Sequence, residues 1–321
     1  MEPLVEINIA VYNHAPYLRA ALDGVLNQKT TFPFRLLIGD DCSTDGSIEI
    51  LKEYEKKYPD KVKVIYQPKN LGLKSPDRNG IILLKKSTAK YIALLDGDDF
   101  WISPNKLQEQ ISFLEANNDV VMSAHNSNML FPDGEIVALN RDNRYTKGPH
   151  EKVYSAEDYI TRAFFQTSSM VFRREALGEL PDWFATAFGG DFFIVLLTVT
   201  KGNIHYINDI MSVYRINPNS TSNYHSRFEI YKNFETHLEK FDEYSGYKYH
   251  KWIQDRLFLF KFEIYYYYPS YPKKLWYVLS NLGRIIGMNS SVISRWTRYK
   301  IFLPTFLLKS KVNLYAKKQK S

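Results

Sequence analysis

The stretch YIALLDGDDFW, residues 91–101, decides the fold. Tyr91–Leu95 is apolar at consecutive positions, as in a strand buried on both faces, and it runs directly into Asp96-Gly97-Asp98-Asp99. LLIGDDCSTDGS, residues 36–47, has the same form: a strand over Arg35–Ile38 that ends in Asp40-Asp41. Working outward, strands are expected at Val5–Val11 and Val62–Tyr66, and helical patterns separate all four. Tyr17, Leu18, Ala21, Leu22, Val25 and Leu26 recur at helical spacing behind Pro16, which suits a first helical turn. Ser43 and Thr44 are good caps for a helix burying Ile48, Leu51, Tyr54 and Tyr58. A third helix is expected over Arg78–Lys86, and a fourth carries Leu107, Ile111 and Leu114. Strand and helix alternating at this interval imply βαβ units, hence an α/β chain with a mainly parallel sheet flanked by helices.

Further strands are expected at Val120–Ala124, Ser168–Phe172 and Ile204–Tyr214, a turn at Pro132-Asp133-Gly134, and a polar loop from Asn140 to His150. From about residue 227 the character becomes helical and aromatic, with Tyr265–Tyr268, Trp276, Tyr277, Trp296 and Tyr299. Two regions follow: a catalytic domain over 1–225 and a helical, basic and aromatic C-terminal region over 226–321. The charge divides the same way. Of the formal net charge of +7, residues 1–226 carry −4 and residues 227–321 carry +11, and no acidic residue follows Glu263. A polyanionic surface attracts such a segment. The single cysteine, Cys42, excludes an internal disulfide framework and a Cys-rich zinc site; it is expected to pack as a small hydrophobe. Glu2 and Glu6 stand where a signal peptide carries positive charge, and no apolar run reaches the roughly 18 to 20 residues of a membrane-spanning helix. A cytoplasmic protein is expected, docked peripherally on the inner face of the membrane.

Ligands of doubly wound sheets bind beyond the carboxyl ends of the strands, where both aspartate clusters stand. Two carboxylate groups on one sheet edge repel each other unless positive charge lies between them. A divalent cation carrying a diphosphate supplies it, and hard oxygen ligands favour Mg²⁺ or Mn²⁺. For any one aspartate alone, a turn or cap role is the better reading; both clusters on one edge favour the ligand.

The chain resembles the family 2 inverting glycosyltransferases of GT-A (Rossmann-like) fold. INIAVYNHAPYLRAALDGVLNQ, LLIGDDCSTDGS, NLGLKSPDRNG, YIALLDGDDFW, TSSMVFRREAL and GGDFF occur in the family's order and spacing, over roughly residues 4 to 225. The resemblance implies a nucleotide-sugar donor, best a UDP-sugar, and a saccharide or lipid-linked acceptor hydroxyl. It places Tyr12 and Asn13 along the donor nucleotide and makes Asp41 the acceptor for the uracil N–H. It puts Asp96 near the ribose and Asp98 on the metal. Arg78 either contacts the nucleotide or its phosphates or is an exposed helix charge. Asp191, behind Gly189-Gly190, becomes the general base, and its position at a helix N-terminus is expected to keep it ionised. Arg215 is expected to neutralise part of the phosphate charge.

The sequence departs from the pattern twice. Gly190 stands where relatives often carry Glu, leaving one carboxylate. Asn217 stands where relatives frequently carry a His near the metal, in Tyr214-Arg215-Ile216-Asn217. The amide of Asn217, His225 or water could take that place. His14 could approach the donor or sit at the surface, and His125 reads as a satisfied core position. His150, His205, His237 and His250 have no metal-ligand spacing. The segments Leu275–Ile286 and Val292–Leu308 mix cations with Trp and Tyr and suit an anionic membrane surface. The alternative is a helical appendage with a solvated basic face, and no nucleic-acid motif accompanies the charge. The rival readings of the whole are a sugar nucleotidyltransferase, which usually opens with a Gly-rich loop absent after the first strand here, and a membrane-associated scaffold without activity.

Overall fold

The computed structural model describes residues 2–72, 78–138, 151–162, 165–217 and 227–267. The chain divides into two compact units, Met1–Tyr159 with Ala163–Asn217, and Ile160–Arg162 with Pro218–Ser321. In the first, β1 (Val5–Val11), α1 (Ala15–Leu26), β2 (Phe34–Asp40), α2 (Ser47–Lys57), β3 (Val62–Tyr66), α3 (Asn79–Lys86) and β4 (Tyr91–Asp96) alternate as expected. There follow β5 (Phe100–Trp101), α4 (Lys106–Ala116), β6 (Val120–Leu130), β7 (Ile136–Ala138), β8 (Glu151–Tyr154) and α5 (Ala156–Arg162), whose last three residues count with the second unit. The series continues through β9 (Val171–Arg173), α6 (Arg174–Leu177), α7 (Gly190–Val199) and β10 (Asn203–Arg215).

Among the described residues, ten strands form one mixed sheet in the order β3-β2-β1-β4-β9-β6-β10-β5, with β7 on β6 and β8 on β10. β3, β2, β1 and β4 are parallel, which carries Asp40 and Asp96 to the same edge. β6 and β10 are also parallel, while β9 runs antiparallel between β4 and β6. The strand expected at Ser168–Phe172 is divided: Thr167–Ser169 forms a 3-10 turn and only Val171–Arg173 pairs. Its carbonyls serve other partners, Ser168 O accepting from Trp101 Nε1 at 2.8 Å and Ser169 O from Gln110 Nε2 at 2.9 Å. The expected turn at 132–134 joins β6 to β7, with Gly134 at φ +87°.

The odd residues of β1, Val5, Ile7, Ile9 and Val11, pack in one core with Leu18, Leu22 and Val25 of α1, Leu51 of α2, and Leu107, Ile111 and Leu114 of α4. On the opposite face, Asn8 Oδ1 accepts from Ser87 Oγ at 3.0 Å. Gly39 of β2 gives the room that lets Asn79 Nδ2 of α3 donate to its carbonyl at 2.6 Å. Both faces of the parallel core are therefore covered, and the strand ends are left to make the site.

In the second unit, α8 (Arg227–Tyr244) and α9 (His250–Tyr267) pack against each other. Leu238, Phe241, Tyr249, Ile253, Leu257 and Phe258 are buried there, and His250 Nδ1 lies 2.6 Å from the buried Asp242 carboxylate. No helix among the described residues is long and apolar enough to cross a membrane. The 225/226 boundary, the 140–150 loop, His225 and the segments Leu275–Ile286 and Val292–Leu308 lie outside the described residues, as do Trp276, Tyr277, Trp296 and Tyr299.

Candidate functional site at the strand ends

The turn after β1 is pinned to the turn after β2. Asn13 adopts φ 54°, a left-handed conformation that Asn tolerates. Its N–H donates to Ser43 Oγ at 2.9 Å, and its Oδ1 accepts from Thr44 N–H at 2.8 Å. His14 N–H reaches Ser47 Oγ at 3.0 Å, and Ala15 N–H reaches Asp45 Oδ2 at 2.8 Å. Tyr12 stands exposed beside them. Asp41 is buried at the same edge, where its oxygens accept from Leu71 N–H at 2.8 Å and Gly72 N–H at 3.3 Å. Burial raises its pKa and these two bonds lower it, the net direction being up.

The DGDD turn after β4 is clamped to the end of β10. Arg215 donates its backbone N–H to Asp99 Oδ1 at 2.9 Å and Nε to the Asp98 carbonyl at 3.0 Å. Its guanidinium lies over the rings of Tyr17, at 4.7 Å, and Phe100, at 5.4 Å. Asn217 Nδ2 donates to Asp98 Oδ2 at 3.1 Å. Asp99 is buried and its Oδ2 has no hydrogen bond among the described residues. Burial, then Asp96, hold its carboxyl well above the usual range.

From the other side, α7 presents Asp191 in its first turn, and Thr167 Oγ1 donates to Asp191 Oδ2 at 3.0 Å. The helix N-terminus does not dominate its titration as expected. Burial raises the pKa more than the Phe192 N–H, Thr167 and nearby Arg78 lower it. Arg78 is partly buried rather than an exposed helix charge. Its Nη1 donates to Ala187 O at 2.9 Å and Nη2 to Phe184 O at 3.3 Å, just ahead of α7. Gly190 leaves room there: a Cβ would lie 3.1 Å from Arg78 Nη2, which would have to shift by a few tenths of an ångström.

The carboxylates are close enough to feel one another. Burial first, then the charges of Asp98 and Asp191, push Asp96 up to about 7. Tyr214 is pushed up to about 12 by burial and by Asp99, Asp96, Asp98 and Asp191. The edge thus gathers Asp96, Asp98, Asp99, Asp191, Arg215 and Asn217, with Arg78 behind Asp191 and the Tyr12–Asp41 turns alongside. Thr167 and Tyr214 escaped the sequence reading, although both lie inside stretches quoted there for other residues. His125 is buried with Nδ1 2.7 Å from Asn126 O, but Nε2 has no hydrogen bond among the described residues, so it is not the satisfied core histidine expected.

A divalent cation fits this donor set. Crowded carboxylates are a place where positive charge is stabilised, and Asp98 presents a hard oxygen. Among the described residues, no three His, Cys, Asp or Glu side chains form a ready metal cage.

A family model described as "Glycosyl transferase family 2" matches residues 7–180. An uncharacterized protein of Mycobacterium tuberculosis (strain ATCC 25618 / H37Rv) is 30% identical over 205 residues, 64% of this chain and 56% of its own length. The chain thus spans little more than half of that curated relative. Staphylococcus aureus TarS 1-349, solved with UDP-GlcNAc, superposes with a TM-score of 0.62 at 15% identity, over 90% of this chain and 82% of that one. The mannosyltransferase PcManGT of Pyrobaculum calidifontis, solved with GDP-Man and Mn²⁺, gives 0.56 at 15% identity, over 96% and 87%. At such identity the two structures show a shared fold.

Proposed function

The chain belongs to glycosyl transferase family 2, and from that membership we propose that it moves a sugar, with inversion, from a UDP-sugar to a saccharide or lipid-linked saccharide hydroxyl. One observation carries the reading: Asp96 and Asp98 from the turn after β4, and Asp191 from a helix far along the chain, share one electrostatic field at the sheet edge. The neighbours solved with UDP-GlcNAc and with GDP-Man and Mn²⁺ support a nucleotide-sugar donor and a divalent metal.

In this mechanism Tyr12, Asn13 and Asp41 line the nucleoside, Asp41 accepting from the uracil N–H with lone pairs left by Leu71 and Gly72. Asp96 faces the ribose. Asp98, steadied by Asn217, would hold Mn²⁺ or Mg²⁺, which stabilises the charge that develops on the diphosphate leaving group. Arg215 adds positive charge while fixing the DGDD turn. Asp191 takes the proton from the acceptor hydroxyl at Oδ1 while Thr167 holds Oδ2. Burial raises its pKa, which strengthens it as a base. Arg78, on the Phe184 and Ala187 carbonyls, lies where it can hold the approach to α7 or turn to a donor phosphate.

Asp191→Asn is expected to lower turnover by ~10² to 10⁴ with donor affinity nearly unchanged. Steady-state transfer or donor hydrolysis, paired with donor titration, measures both; normal turnover would remove Asp191 from the role. The cationic aromatic residues after Glu263 dock the enzyme on an anionic bilayer, near lipid-linked acceptors.

A further inference from the structure

The sequence replaces an expected C-terminal histidine by Asn217, and the structure brings a different histidine to the same aspartate. His14 Nε2 lies 3.8 Å from Asp98 Oδ2. Neither ring nitrogen of His14 has a hydrogen bond among the described residues, and Nδ1 is buried. A half-buried imidazole that the fold does not use is an unexplained polar group.

Its placement is built. The backbone on both sides is pinned through Ser43, Asp45 and Ser47, at the Asn13, Ala15 and His14 amides. The ring rests against Gly97, the glycine of Asp96-Gly97-Asp98: a Cβ there would lie 2.7 Å from His14 Nδ1, 3.1 Å from Val11 Cγ2 and 3.3 Å from Ala10 O. Gly97 therefore serves more than the turn. Its missing side chain is the space in which His14 approaches Asp98. Asn217, in contrast, meets Asp98 Oδ2 with its NH₂ group, a donor, and so orients the carboxylate.

We propose that His14, through Nε2, ligates the divalent cation beside Asp98, and that Asn217 acts behind Asp98 as its orienting partner. This rests on the metal-assisted reading above and adds the nitrogen ligand to it. One cation can bridge a carboxylate oxygen and an imidazole nitrogen at this separation after a small side-chain adjustment. Nitrogen in the shell also has a consequence for the metal: imidazole suits first-row transition ions better than Mg²⁺, so of the two the site favours Mn²⁺.

The test uses the full chain with Mn²⁺ and UDP, and again with GDP, reading Mn²⁺ affinity from the free-ion electron paramagnetic resonance signal and nitrogen coordination from ¹⁴N spin-echo modulation. The wild type should show directly bound imidazole nitrogen. His14→Gln should lose that modulation and bind Mn²⁺ at least ~10-fold more weakly. His14→Asp should keep binding without the nitrogen signal and move the preference toward Mg²⁺. Thermal unfolding followed by circular dichroism checks that both variants are folded. Modulation that persists in His14→Gln, from His225 or another histidine, overturns the assignment, as does unchanged affinity. If Asp98→Ala abolishes Mn²⁺ binding while both His14 variants match the wild type, only the role of His14 fails. If the wild type binds no Mn²⁺ with either nucleotide, the metal-assisted reading fails with it.

Discussion

Asp96 is the most informative single carboxylate. Its folded pKa, raised to about 7 by burial and by Asp98 and Asp191, lies above the ordinary value of 3.8. The native state thus holds a proton that the unfolded chain releases between about pH 4 and 7. The stabilisation from that proton is full below about pH 4 and is lost as pH rises through about 7. The metal-free protein should accordingly melt at falling temperatures over this interval, and Asp96→Asn should flatten the trend. Melting curves at several pH values in EDTA check it; a trend of opposite sign, or one unchanged in the variant, would contradict the assignment. Much of this residue chemistry was legible, because Asp after a parallel strand has a known edge to occupy. Arg78 and His14 were not. Arg78 is engaged by carbonyls 106 and 109 residues away, and the partnership of His14 depends on the missing side chain of Gly97.

Among the elements, β1 shows how a strand can read as apolar and still be organised by a charge. Glu6 is fully buried, ion-paired with Arg35 of β2, and accepts from Thr88 N–H at 2.6 Å and Ala89 N–H at 3.2 Å ahead of β4. One carboxylate thus ties β1 to β2 and to the entry of β4. Glu6→Ala leaves Arg35 and two amides without their acceptor and should cost about 3–5 kcal/mol. Urea unfolding measures it, and a loss below about 1 kcal/mol would show that the strands hold without this tie. The βαβ strands were legible because hydrophobic runs and caps are local signals. β5, β7 and β8 were not: each is two to four residues long, β5 and β8 form only against the distant β10, and β7 adds only three pairs to the end of β6. The same holds for Thr167–Ser169, where Trp101 and Gln110 claim carbonyls that a strand would have used.

The whole molecule divides its charge as it divides its structure, an acidic body and a basic end. The cationic, aromatic residues after Glu263 should bind anionic vesicles in co-sedimentation and release them at about 0.5 M salt, where surface charges are screened within a few ångströms. Equal binding to neutral vesicles would remove the electrostatic account. UDP-, GDP-, dTDP- and CMP-sugars should be offered to the full chain with Mn²⁺, with Mg²⁺ and with EDTA, following donor binding and release of the nucleoside diphosphate or, for the CMP-sugar, CMP. The account predicts selective use of a UDP-sugar, dependent on the metal and lost in Asp98→Ala. Binding of no nucleotide sugar under any of these conditions would contradict it and leave a family 2 fold that serves as a scaffold.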